Sequence, residues 1–158
     1  METKAIHGFA DIFNEARSGD AVCITTNGCV KKDGKAVMGK GIAYQACNLF
    51  PSIDEKLGSY IKEYGNRAFN LGLWNLNGKH IRVFSYPTKY HWKDPSDITL
   101  ICRSAEQLVE MADKFKPNKI LMPPPGCGCG SLSWELVENW ISLILDDRFV
   151  VYLGGKVK

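Results

Sequence analysis

The chain has 158 residues, 45% hydrophobic and 23% charged, which are the proportions of one ordinary globular domain with room for a real core. Twenty basic against 17 acidic residues leave a net charge of +3, too small to declare nucleic-acid binding by itself. The opening METKAIHGF lacks the apolar run of a signal peptide, and no uncharged stretch is long enough to span a membrane.

In chain order, KAIHG near the start reads as a weak strand, and AVCITT (Ala21 to Thr26) as a buried one, rich in β-branched residues and bounded by turn residues. IAYQACNLF after Gly41 is a helix stopped by Pro51, and SIDEKLGSYIKEYG is a second helix, weakened by Gly58. AFNLGLW (Ala68 to Trp74) is a weaker strand candidate, and IRVFSY (Ile81 to Tyr86) a strong one. Asp97 is placed to cap a helix whose inward face is Ile101, Ala105, Leu108, Ala112 and Phe115. KILMP (Lys119 to Pro123) follows as a strand. Ser133 then precedes a helix with Trp134, Val137, Ile141 and Leu145 inward, and RFVVYL (Arg148 to Leu153) closes the series as a strand. Apolar strands alternating with helices predict an α/β fold with a sheet covered on both faces, its ligands bound beyond the carboxyl ends of the strands. No repeat or low-complexity tract divides residues 1–158, so a single domain is expected.

Six cysteines, Cys23, Cys29, Cys47, Cys102, Cys127 and Cys129, lack the spacing of a disulfide framework or a zinc site. They read as free thiols in a reducing cytoplasm, with no metal and no cofactor implied.

Three loops at the expected strand ends carry chemistry. The first, Asn27 to Gly41, nearly spells a nucleotide-triphosphate loop, Gly34-x-x-x-x-Gly39-Lys40, but Gly41 stands where magnesium binding needs Ser or Thr. Gly34 also lies well past the preceding strand, and no apolar strand ends in an acidic residue suited to magnesium. The working unit is therefore VMGKGIAYQ, from Val37, which brings backbone N–H groups and a helix N-terminus to an anion without metal. The third loop, PPPGCGCGSLSW (Pro123 to Trp134), alternates Gly126, Gly128 and Gly130 before another helix, and two such loops at one sheet edge suggest a cradle for a diphosphate. The middle loop, SYPTKYHWKDPSD, puts Lys89 just beyond a strand among Tyr86, Tyr90 and Trp92, where a lysine can act as nucleophile or electrophilic catalyst. His7, His80 and His91 lack an evident acidic or cysteine partner and read as structural or surface residues.

ADIF (Ala10 to Phe13), TTNG (Thr25 to Gly28), VMGKGIAYQ, YPTKYHW (Tyr86 to Trp92) and PPPGCGCGSLSW together resemble, in order and over nearly the whole chain, the macro domains that bind ADP-ribose. The branch they resemble is the lysine-dependent ADP-ribosyl-glycohydrolases, which includes bacterial antitoxins acting on DNA. The resemblance implies a three-layer α/β/α fold with a mixed central sheet. It also implies that Asp11 accepts a hydrogen bond from the adenine amino group, with the Ile12 N–H beside it, and that Asn27 contacts the distal ribose. Gly39, Lys40, Gly41 and Ile42 would line one side of the diphosphate, Lys40 needing only its N–H for this. Gly126, Cys127, Gly128, Cys129, Gly130 and Ser131 would close the other.

Lys89 aligns with the lysine this branch uses in catalysis, either attacking the anomeric carbon or stabilising developing charge. Gly130 stands where some members carry an aspartate, so the general acid is unassigned. The implied function is hydrolysis of ADP-ribosyl linkages on a nucleic acid or protein by a monomer. A non-catalytic ADP-ribose reader and a hydrolase of a small derivative (the 1''-phosphate or an acetyl ester) are the alternatives. The longer first loop, with KKDGKA (Lys31 to Ala36), reads as a solvated flexible tip rather than a phosphate contact.

Overall fold

The computed structural model describes residues 1–5 and 11–154. In chain order the described elements are β1 (Glu2–Ala5), α1 (Ile12–Glu15), β2 (Ala21–Thr26), α2 (Gly41–Leu49), α3 (Ile53–Tyr64), β3 (Phe69–Leu76), β4 (Lys79–Pro87), α4 (Ile98–Phe115), β5 (Ile120–Met122), α5 (Trp134–Ile141) and β6 (Phe149–Leu153). The strands form one mixed sheet in the order β1-β6-β5-β2-β4-β3, with β3 antiparallel to β4 and the remaining pairs parallel.

Alternation along the strands divides the core in two. Val22 and Ile24 of β2, Ile81 and Val83 of β4, and Val150 and Tyr152 of β6 pack with α1, α2 and α3. Their sequence neighbours Ala21, Cys23, Phe84, Tyr86, Phe149 and Val151 pack with α4 and α5 on the other face. A strand buried on both sides must be apolar at every position, and that is why these strands are short continuous hydrophobic runs. The three-layer α/β/α architecture with a mixed sheet follows directly.

Asp97 caps α4 as its sequence position suggests, its Oδ1 accepting the Leu100 N–H at 3.1 Å. Ser133 caps α5 in the same way through the Leu136 N–H at 3.3 Å.

Four details differ from the sequence reading. The first strand begins at Glu2, earlier than KAIHG, and of that stretch Ile6 onward lies, with the residues to Ala10, outside the described residues. The short helix α1 was not anticipated. Helix α5 stops at Ile141 because the chain must turn back to place Phe149 in the sheet, so Leu145 is buried from a turn rather than from the helix.

The fourth is the KKDGKA segment, which is ordered rather than a flexible tip. Val30 bridges Ala36, Lys31 N donates to Lys35 O at 2.8 Å, and Ala36 N donates to the Asp54 carbonyl of α3 at 2.9 Å. Lys31 and Lys32 do remain exposed.

Gly58 is what lets this loop dock on α3. A Cβ added there would run into the Gly34 carbonyl oxygen and come within 2.9 Å of Ala36 N. Glycine to alanine inside a helix ordinarily stabilises by about 1 kcal/mol. Here the added methyl meets backbone that cannot rotate away, and such overpacking costs about 1–3 kcal/mol. Gly58→Ala should therefore destabilise the domain, seen as a lower urea midpoint at unchanged slope. A raised midpoint would show that the loop is loosely held.

Candidate functional site

The carboxyl ends of β2, β4 and β5 share one edge of the sheet, and a cavity of about 820 Å³ opens there. That volume suits a ligand of nucleotide size. Its walls come from the three loops expected to carry chemistry.

The first loop is shaped by Asn27. Its Nδ2 donates to Val37 O at 3.1 Å, and its Oδ1 accepts the Cys29 N–H at 2.9 Å, clamping the two ends of the loop together. Asn27 also lines the cavity, with one amide hydrogen and one lone pair beyond these two bonds. The loop then delivers Gly39, Lys40 and Gly41 to the start of α2. Lys40 caps that helix with no side-chain hydrogen bond, so the leading N–H groups of a nine-residue helix face the cavity uncapped. A Cβ added at Gly39 or Gly41 would meet nothing within 4 Å, and Gly41 has φ +63°, a left-handed value that favours glycine. The backbone is open to an anion on this side.

In the third loop, Gly128 likewise borders open space, whereas Gly126 and Gly130 serve packing. A Cβ at Gly126 would approach Ile101 Cδ1 to 2.7 Å, and one at Gly130 would press on the Ser96 hydroxyl and lie 2.6 Å from Gly126 O. Ser96 is buried at the cavity wall, and its N–H donates to Gly130 O at 2.9 Å. Its Oγ is the buried side-chain polar atom that has no hydrogen-bond partner among the described residues. Leaving a buried hydroxyl unpaired costs about 1–3 kcal/mol. Ser96 was not singled out in the sequence, where it is one serine before a helix cap.

The middle loop holds Lys89 half-buried in the cavity wall. Its Nζ donates to Trp92 O at 3.5 Å, and its own carbonyl accepts the Asn66 Nδ2 at 3.1 Å. Asn66 also fills the space beside Gly28, where a Cβ would come within 2.9 Å of it. Tyr86 does not surround Lys89. It is fully buried on the α4 side, with its hydroxyl donating to Ile101 O at 3.1 Å, and burial pushes that phenol well above its ordinary pKa.

Among the described residues the cavity lining contains Lys40, Lys89 and Lys93 and no carboxylate. It is an electropositive cleft, suited to an anionic ligand and without a second acid beside Lys89. Four residues expected at the ligand do not line the cavity. Asp11 caps α1, its Oδ1 accepting Asn14 N–H at 3.2 Å, and Ile12 is buried beneath it. Cys127 turns its thiol to Pro125 O at 3.5 Å, and Ser131 holds a turn at φ 67°. Gly39, Lys40, Gly41, Ile42, Gly128, Cys129, Gly126 and Gly130 do line it, together with Asn27 and Lys89. No group of three or more His, Cys, Asp or Glu is placed to hold a metal among the described residues.

This is an α/β domain with a basic, glycine-walled cleft at the carboxyl edge of a mixed sheet. The macro domain family model matches residues 32–141, and the chain belongs to that family. A DNA ADP-ribosyl glycohydrolase of Mycobacterium tuberculosis is 32% identical over 127 residues, covering 78% of this chain and 34% of that protein. The chain thus spans about a third of the length of the curated relatives it matches. The solved macrodomain of Thermus aquaticus DarG superposes with a TM-score of 0.67 at 26% identity, over 96% of this chain and 98% of that one. Thermosipho africanus DarTG in complex with ADP-ribose superposes with a TM-score of 0.66 at 24% identity, over 84% of this chain and 37% of that one.

Burial separates the third-loop thiols. It pushes Cys127 up to about 11, whereas Cys129 is exposed at the cleft. At pH 8 only about one Cys127 in a thousand is then thiolate. Iodoacetamide at pH 8 should label Cys129 well before Cys127, with Cys127 labelling rising about tenfold per pH unit toward 11, as read by peptide mass spectrometry. Rapid labelling of Cys127 at pH 7 would show the loop to be open.

Proposed function

We propose that this domain binds ADP-ribose in the basic cleft and hydrolyses the bond joining it to DNA. The observation that carries this is Lys89, half-buried between two glycine loops in a cavity whose other ionisable lining groups are Lys40, Lys93 and Cys129. The names of the relatives supply the class of linkage.

In this reading the diphosphate lies across the uncapped N-terminus of α2, between Gly39–Ile42 and the Gly126–Ser131 loop. The phosphates or ribose give the Ser96 hydroxyl the partner it lacks. Asn27 uses its remaining amide hydrogen on the distal ribose, and the adenine extends past the cavity lining to the exposed Asp11, whose second carboxylate oxygen would accept its amino group beside the Ile12 N–H. Water attacks the anomeric carbon, the bond to the leaving atom breaks, and its electron pair stays with that atom. Lys89, as an ammonium, supplies the balancing charge and the proton the leaving atom takes up, and the amine so formed takes the proton that the attacking water releases. An amine route, in which Lys89 itself attacks the anomeric carbon, also calls for an acid to complete hydrolysis. The absence of carboxylates in the lining favours the ammonium route. The six free thiols suit a reducing cytoplasm, and we take the domain to act there as a monomer.

Lys89→Ala should cut release of ADP-ribose from an ADP-ribosylated oligonucleotide by about 100-fold or more, while calorimetry still detects ADP-ribose binding. Full activity in that variant would overturn the mechanism, and tight ADP-ribose binding without turnover in the parent would make the domain a reader. Reduction with cyanoborohydride during turnover should leave no ADP-ribose adduct on Lys89. An adduct would establish the amine route.

A further inference from the structure

At the mouth of the cleft, consecutive aromatic side chains stand in solvent. Tyr90 is 51% and Trp92 49% exposed, and His91 between them is exposed as well. The His91 and Trp92 rings stack with centroids 5.7 Å apart at 26°, and the Lys93 ammonium lies 5.1 Å from the Trp92 ring centre.

The backbone beneath these rings is pinned. The carbonyls of Lys89, Tyr90, His91 and Trp92 accept from Asn66 Nδ2, Gly28 N, Asp94 N and Lys89 Nζ respectively, and Lys93 N donates to His91 Nδ1. A loop free to turn would fold such rings onto the core, because exposing them forfeits hydrophobic stabilisation. This one holds them outward at little further entropic cost to a ligand. Flat rings held outward on a fixed backbone beside a cleft present faces on which another ring can stack.

We infer that Tyr90, His91 and Trp92 form a shelf on which an unpaired nucleobase stacks, outside the cleft that takes ADP-ribose. Trp92 and Lys93 also line the cleft, so the shelf is continuous with it. A strand joined to a ligand in the cleft would leave over these rings. The charge fits a polyanion: Lys40, Lys89 and Lys93 line the cavity without a carboxylate, and Lys31 and Lys32 are exposed on the first loop. Of the two acidic residues of this same loop, Asp94 is not among the lining residues and Asp97 is turned to the cap of α4. Flat rings beside cations suit the π-face of a base and a phosphate next to it, a combination that single strands present and duplexes keep internal.

The location rests on the proposed reading of the cleft, but the test does not. Fluorescence anisotropy in low salt should show an unmodified, mixed-sequence oligodeoxynucleotide binding as a single strand more tightly than as its duplex. Tyr90→Ala and Trp92→Ala should each weaken the single strand about 5- to 100-fold, the range expected for loss of one base–aromatic stack, and Trp92→Phe should retain most of the affinity. Tyr90 lies outside the cleft lining, so Tyr90→Ala should leave ADP-ribose affinity unchanged by calorimetry, which also certifies its folding. Equal binding of duplex and single strand, unchanged strand affinity in both alanine variants, or binding of a protein segment with none of an oligonucleotide would each overturn the shelf. A parent protein that binds the strand but never ADP-ribose would instead overturn the reading of the cleft and leave the shelf standing.

Discussion

Strand β2 is hydrogen-bonded on both sides to parallel neighbours, Ala21–Thr26 against Arg82–Pro87 and Ala21–Val22 against Ile120–Leu121. Everything in the cleft hangs from that arrangement. Parallel pairing brings the carboxyl ends of three strands to one edge, and the chain must leave each of them by a loop on that side. Asn27, Lys89 and the Gly126–Gly130 run lie far apart in sequence and meet only because these strands share a direction. Antiparallel pairing of β4 with β2 would carry Lys89 to the opposite end of the sheet. The apolar alternation that buries both faces is therefore a condition for the site as well as for the core.

Much of this was legible because it is local. AVCITT coincides with β2 at both ends, since a run with no polar break and turn residues on either side has no competing register. Asp97 is readable as a cap because capping depends on three neighbouring residues. Gly39, Gly41 and Gly128 read as backbone left open, and the space around them is open. Gly126 and Gly130 look the same in the sequence but exist for Ser96 and Ile101, which arrive from another loop and another helix. Nothing in the alternating pattern separates the two uses.

The rest was hidden for related reasons. α1 has four residues, too few for a helical period to show. Asn66 and Ser96 matter only through contacts with Gly28, Lys89 and Gly130, none of them adjacent in the chain. Tyr86 was placed beside Lys89 by sequence proximity, whereas the pleat turns it to the α4 side. The KKDGKA segment, rich in charge and glycine, has a composition that suggests mobility. Its order comes from α3, and from Gly58 in particular, whose missing side chain looked like a defect of the helix that carries it.

The bare start of α2 has a further consequence. Helices normally close their leading N–H groups with a side chain, and α2 does not, since Lys40 offers no acceptor. An anion bound there becomes the helix's missing cap, so its binding and the winding of the first turn are one equilibrium. Fraying of Gly41 to Ala43 and loss of such an anion would then favour each other, so the stability of a single turn of helix tunes how tightly the cleft holds an anion.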